Sequence, residues 1–230
     1  MKRSLSNRKL AIGIPLTFPY VPSTFFDSFN IMEKPDYEYI REQNGPVDEM
    51  RNNIVRRAKR VGVTHLLMMD VDQIYHPKTF VALASHNLPV VGCLIYRRYP
   101  PFDPLMYKGT MNEYLLIEDF KQGDLVEVAA TGTGCLLLDM KVFDILPDPW
   151  FKFTPNPDPE RTGIVGEDFM FCWNLQKAGI KIYVDTAIPA GHISMFEVNE
   201  HTYKFYKKVA KVRKEALAEY LKSQQSAEAD

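Results

Sequence analysis

THLLMMDVDQIYHP, residues 64–77, decides the architecture of this chain. Thr64 to Met69 suits a buried central strand, and the run stops at Asp70-Val71-Asp72, two carboxylates one residue apart. Alternation along a strand turns Asp70 and Asp72 to one side and Val71 to the other. The two acids therefore converge at the strand's carboxyl end, where open α/β sheets take their ligands. Carboxylates held this close repel unless a cation lies between them, and hard oxygen donors suit a divalent ion such as Mn or Mg. The triplet is a candidate metal and diphosphate site; the alternative is an ordinary surface turn, in which Asp is common.

With 230 residues the chain can bury one good core, as one large domain or one domain with a helical appendage. A net charge of -1 gives no global electrostatic reason to expect nucleic acid, and no specific nucleic-acid partner is expected. Cys93, Cys135 and Cys172 are far apart, with no CxxC or Cys/His spacing, and read as reduced core cysteines. The basic start is followed by an apolar run, Ala11 to Leu16, too short for a signal segment, so the cytoplasm is the expected location.

Upstream of the aspartates, Lys9 to Ile14 reads as a first strand, leading through Pro15 into a loop from Thr17 to Ser23 at the same sheet edge. Ser23 or Thr24 is expected to cap a short helix, and Tyr37 to Ile40 to form a second strand. Asn44-Gly45-Pro46 opens a helix with an apolar stripe of Val47, Met50, Ile54, Val55 and Ala58, closed by Gly62. Arg51 near its amino end either meets a phosphate or nucleobase or pairs with Asp48 on a solvated face.

Downstream, Pro77 to Ala84 reads as a short helix and Leu88 to Tyr96 as another buried strand, with Gly92 open to close backbone approach. Arg97 and Arg98 follow it, able to hold a diphosphate or an anionic acceptor, or simply solvated. Leu105 to Ile117 and Leu125 to Ala130 are expected to pair around a Lys121-Gln122-Gly123-Asp124 turn. Thr131-Gly132-Thr133-Gly134 is not a dinucleotide fingerprint, because position 137 is Leu; its glycines suit close approach by a substrate or the metal site. The proline-rich loop from Thr154 to Gly163 suits a lid. Gly166-Glu167-Asp168 opens a helix with Phe169, Cys172, Trp173 and Gln176 on one face, and Lys181 to Ile188 reads as a strand followed by a loop ending at His192. From Glu200 the chain reads as a basic helix with six Lys or Arg between Lys204 and Lys214, docked by an apolar stripe or touching an anionic membrane surface, and frayed from Ser223.

The order of these signals, carried by THLLMMDVD, VAATGTGCLLLD, GEDFMFCWNLQKAG and Gly191-His192, resembles the GT-A glycosyltransferases across Lys9 to Ser194. The chain looks most like small family-two-like bacterial and phage enzymes. The resemblance implies an α/β fold, a three-layer α/β/α sandwich with a mixed, mostly parallel central sheet, over residues 1–198, with residues 199–230 as a C-terminal helix and tail. It implies metal-dependent transfer of a sugar from a nucleotide-diphospho-sugar, a UDP- or GDP-sugar, to a hydroxyl of a carbohydrate or other acceptor, with Mn or Mg as cofactor. Asp72 and His192 would ligate the ion, Asp70 would bind ribose and act through the metal's water shell, and Val71 lies between them in the motif. Pro15, Leu16, Thr17 and Phe18 would contact the base by their backbone, and Arg51 the donor. Thr131, Gly132, Thr133, Gly134 and Glu167 would face the acceptor, with Asp168 as general base of an inverting reaction. A nucleotidyltransferase and a non-catalytic carbohydrate-binding scaffold are the rival readings; the first usually carries a basic Gly-rich loop after its first strand, which Ile14 to Phe18 lacks. Oligomeric state is not legible.

Overall fold

The computed structural model describes residues 8–17, 19–111, 113–156, 162–195 and 197–227, with side chains through residue 215. The first half runs β1 (Leu10–Leu16), α1 (Ser23–Ile31), β2 (Tyr37–Gln43), α2 (Val47–Val61), β3 (His65–Met69), β4 (Gln73–Ile74), α3 (Thr79–Ser85) and β5 (Val90–Ile95). Then come β6 (Met106–Lys108), β7 (Leu115–Leu116), β8 (Leu125–Val128), β9 (Ala130–Thr131), β10 (Cys135–Asp139) and α4 (Val142–Ile145). The last part holds β11 (Thr154–Pro155), β12 (Ile164–Val165), α5 (Glu167–Lys177), β13 (Ile182–His192) and α6 (Glu200–Ala227).

Eight strands form the main sheet in the order β2-β1-β3-β10-β5-β13-β4, with β8 also paired to β13. β1 is parallel to β2 and β3, and β5 to β13, while β10 runs antiparallel between β3 and β5. Five strands share one direction, so the sheet is mixed and mostly parallel. Its two faces follow from strand alternation: Leu66 and Met68 of β3 join one apolar cluster, Leu67 and Met69 the other. The first cluster packs under Ile54, Val55 and Ala58 of α2 and Phe171, Cys172 and Leu175 of α5; the second under Phe25 of α1 and Phe80, Leu83 and Ala84 of α3. Helices thus cover both faces, which explains why β3 is apolar without a break.

Several local expectations differ from what forms. The segment after Arg98 does not make a single hairpin: β6 pairs with β7 and β9, whereas β8 joins the main sheet against β13. Pro22, not Ser23 or Thr24, precedes α1, with no side-chain cap bond, and α5 buries Phe171 and Leu175 rather than Trp173 and Gln176. β13 continues through Pro189 to His192, where the sequence suggested a loop, because its end pairs antiparallel with β4. The ends of the proline-rich loop are pinned as β11 and β12, and residues 157–161 lie outside the described residues.

The chain divides into two compact units, Met1–Ile193 and Ser194–Asp230. Taken by itself, the second is α6, helical past Ser223 to Ala227, with Phe205, Val209 and Val212 exposed. Among the described residues no helix is long and apolar enough to cross a membrane.

Candidate functional site

The site begins where β3 ends. The Asp70 N–H donates to the Gly134 carbonyl at 2.9 Å, and the Tyr75 hydroxyl lies 2.7 Å from the carbonyl oxygens of both residues. Gly134 lets the Gln73 and Asp70 side chains sit against the backbone: a Cβ would stand 2.2 Å from Gln73 Nε2 and 2.8 Å from Asp70 Oδ2, so both would have to shift. Val71 turns into the core at 3% exposure, as alternation requires, and the two flanking acids turn to the opposite side. Beyond them, Gln73 pairs with His192, and the Ile193 N–H donates to the Asp72 carbonyl at 2.8 Å. This short β4–β13 ladder sets the His192 imidazole beside the Asp72 carboxylate, Nε2 to Oδ2 3.5 Å.

Arg51 is buried at 4% exposure, where helical spacing alone allowed a solvated pair with Asp48. Its Nη2 lies 3.0 Å from both oxygens of Asp70, and its Nε 3.3 Å from Glu167 Oε1. The adjacent Asn52 fixes the helix by clamping the Phe151 backbone, donating to its carbonyl at 2.7 Å and accepting from its N–H at 3.0 Å. Burial opposes the Arg51 charge, but Asp70 and Glu167 outweigh it, so its pKa stands above the ordinary arginine value. Its Nη1 is buried without a partner. An unmet donor on a buried cation costs about 1–3 kcal/mol or more, a cost that a water or a ligand oxygen would relieve.

Glu167 and Asp168 occupy the first turn of α5. Asp168 Oδ1 accepts the Phe169 N–H at 2.8 Å. Burial first, then the neighbouring Glu167 charge, pushes its pKa up to about 6, against the pull of that hydrogen bond and of Arg51. A carboxylate tuned toward neutrality is suited to general-base work.

Asp72 is shared. Arg98 Nη2 forms an ion pair with its Oδ2, the atom that also faces His192. Burial raises the Asp72 pKa, but the His192 hydrogen bond and the Arg98 charge overcome it and hold the group below the usual carboxylate value. Burial likewise disfavours charged His192, yet the Asp72 contact and the Tyr96 carbonyl carry its pKa above the ordinary imidazole value. The Tyr96 carbonyl lies 2.8 Å from Nδ1, which places the donor hydrogen there and leaves Nε2 facing Asp72 when the ring is neutral.

Among the described residues no group of three or more His, Cys, Asp or Glu is gathered as a cage for a metal. Asp70 is engaged by Arg51 through both oxygens, so the trio Asp70, Asp72 and His192 does not close on a common point. A two-donor site remains: a carboxylate and an imidazole nitrogen whose other nitrogen is anchored on a backbone carbonyl. The carboxylate suits Mn or Mg, which can be held by one or two carboxylates with substrate phosphate and water completing the shell, and the imidazole favours the transition metal of the two.

A cavity of about 240 Å³ is lined by Pro15, Thr17, Arg51, Asp70, Asp72 and Glu167, with neither His192 nor Asp168 among its described lining residues. Val71 and Arg98 also border it, and so does Val47. It is smaller than the roughly 300–1,000 Å³ of a pocket for a whole drug-sized ligand. Of the other sequence-derived residues, Leu16 is buried in the core, and Phe18 lies outside the described residues. Thr131 to Gly134 are buried rather than cavity-lining, Thr131 and Thr133 at 1% exposure each with their hydroxyls unpartnered. An open groove of about 800 Å³, bounded by Tyr114, Leu115, Ile164, Gly166 and Phe169, adjoins the start of α5. Of the two arginines that the sequence offered as diphosphate or acceptor contacts or as solvated residues, Arg98 borders the cavity and Arg97 turns away to the Tyr107 hydroxyl at 3.1 Å.

No family model and no curated protein matches this sequence. Solved structures do match the fold. A197 from STIV superposes with a TM-score of 0.56 at 16% identity, over 82% of this chain and 86% of that one. GalNAc-T7, solved with UDP, GalNAc and Mn2+, superposes with a TM-score of 0.52 at 13% identity, over 84% of this chain. This chain spans 45% of the GalNAc-T7 chain. The fold is therefore of GT-A type, a three-layer α/β/α sandwich on a mixed sheet.

Proposed function

We propose that this protein is a metal-dependent glycosyltransferase that takes a nucleotide-diphospho-sugar as donor and a hydroxyl as acceptor. The carrying observation is the cavity in which Arg51, with an orphaned buried Nη1, meets Asp70, Asp72, Arg98 and Glu167 at the carboxyl edge of β3. It holds one more carboxylate than guanidinium, so a diphosphate entering it needs a cation to accompany it. Asp72 and His192 would hold that ion, which when bound supplies Lewis-acid neutralisation of the departing diphosphate. Asp70, kept in place by Arg51, is left to accept from the donor ribose, and Arg51 Nη1 to donate to a phosphate oxygen. Pro15 and Thr17 at the end of β1 border the same cavity and suit contacts to the base. Asp168 would take the acceptor hydroxyl proton, which favours inversion; the groove bordered by its sequence neighbours Gly166 and Phe169 would seat the acceptor. The fold shared with GalNAc-T7 supports donor and acceptor of this class. The cytoplasm and a peripheral membrane contact through α6 belong to this reading as well, the latter supported by exposed Phe205, Val209 and Val212 beside a basic run.

Calorimetric titration of Mn with UDP and with GDP, followed by a transfer assay, tests the proposal. Asp72→Asn is expected to abolish metal-assisted nucleotide binding and with it turnover. Asp168→Asn is expected to keep nucleotide affinity and lose about two to four decades of transfer rate. Equal loss of nucleotide affinity in both variants rejects this division of roles, and pyrophosphate release from a nucleoside triphosphate would instead identify a nucleotidyltransferase.

A further inference from the structure

We infer that Arg98 is a positioning residue that occupies the ion's place on Asp72 until a diphosphate arrives, and so makes binding of metal and donor mutually dependent. The inference rests on the reading of the cavity as a metal and diphosphate site. Three facts carry it. The Arg98 guanidinium is paired with Asp72 Oδ2, the same oxygen that faces His192 Nε2 and the one through which those two groups would share an ion. Arg98 borders the cavity together with Arg51 and the three acids, so a ligand inside it is within reach of the guanidinium. Its side chain is 39% exposed, against 4% for Arg51.

The physics is a competition. A dication beside Asp72 Oδ2 and a guanidinium on the same oxygen are like charges at contact distance, and the first displaces the second. A displaced Arg98 has lost a charged partner in a half-buried setting, which opposes loading of the metal alone. A diphosphate reverses the balance, since its oxygens match the planar fork of the guanidinium and give Arg98 a new anion within the same cavity. Arg51 cannot play this part, because Asp70 and Glu167 hold it from two sides. The metal therefore gains affinity from the diphosphate and, by linkage, the diphosphate gains the same factor from the metal.

The experiment is Mn binding, followed by electron paramagnetic resonance of the free ion and by calorimetry, to the full chain and to Arg98→Gln and Arg98→Lys, with and without UDP or inorganic pyrophosphate. Melting curves check that the variants remain folded. In the unsubstituted protein, UDP is expected to tighten Mn binding on the order of tenfold or more. Arg98→Gln is expected to bind Mn alone about tenfold more tightly than the unsubstituted protein and to lose most of the enhancement by UDP. Arg98→Lys, which keeps the charge without the fork, should fall between. If Arg98→Gln weakens UDP binding but leaves Mn alone unchanged, Arg98 is a plain phosphate contact and the inference is wrong. If no protein binds Mn under any of these conditions, the metal-dependent reading of the site falls together with it.

Discussion

Asp168 carries the sharpest prediction available at a single residue. Its pKa is raised from 3.8 to about 6 by burial and the Glu167 charge. As the proposed base it would work only when ionised, so transfer should rise with pH through about 6 and level off above it. The effect on stability has the opposite sign. Between 3.8 and about 6 the folded chain binds more protons at this position than the unfolded chain, so this contribution to stability is present at low pH and lost as pH rises through the folded pKa. Asp168→Asn should therefore stabilise the protein near pH 7, by about 1–2 kcal/mol after allowing for the group's partial exposure, and give little change at about pH 3, where both states are largely protonated. Thermal melts at the two pH values check the sign. Arg51 is the complementary lesson. Its spacing beside Met50 left a solvated face open as an alternative, and only the fold shows that partners 19 and 116 residues away bury it.

Individual elements make the next set of predictions. β10 lies so close to the end of β3 that Gly134→Ala would drive a methyl into Gln73 and Asp70; it should cost about 1–3 kcal/mol in chemical denaturation and displace Asp70 from Arg51. Gly132→Ala, with Leu105 Cδ1 at 3.3 Å as its nearest neighbour, should cost less. α2 offers a second probe, because Asn52 alone satisfies both the N–H and the carbonyl of Phe151. Asn52→Ala leaves two buried backbone groups unmet and should lower the unfolding free energy by about 2–4 kcal/mol. At this scale the sequence was legible where periodicity is strong: β3, β5, α2 and α5 lie within a few residues of their expected places. It failed where pairing is decided by distant chain. Pro189 and Gly191 look like strand breakers, yet the edge partner β4 continues β13 through them; β8 looks like a hairpin arm, yet its partner is β13. The close approach expected of Gly92 is present, with a Cβ there falling 2.9 Å from the Cys135 carbonyl.

For the whole molecule, the order of strands predicts where the structure resists opening. β3, β10 and β5 are central and apolar on both faces, so amide exchange should be slowest at Leu66 to Met69, Leu136 to Leu138 and Val90 to Leu94. β4 and the end of β13 form a ladder of only two residue pairs at the sheet margin and should exchange faster. If the central strands exchanged as fast as β4, the sheet order would be wrong. Much of the candidate site was visible as isolated motifs in the sequence, Asp-x-Asp most clearly. What could not be seen was their pairing, above all which acid each arginine would take, since ion pairs depend on how elements stack.

The Gln73–His192 rung has a temporal consequence. A nascent chain emerging from the ribosome presents both aspartates, Arg51 and Arg98 well before it presents the imidazole that completes the ladder. Until the final strand of the sheet has been synthesised, Asp72 lacks the neighbour that this rung supplies, and of its two cationic neighbours described above only Arg98 exists to meet it.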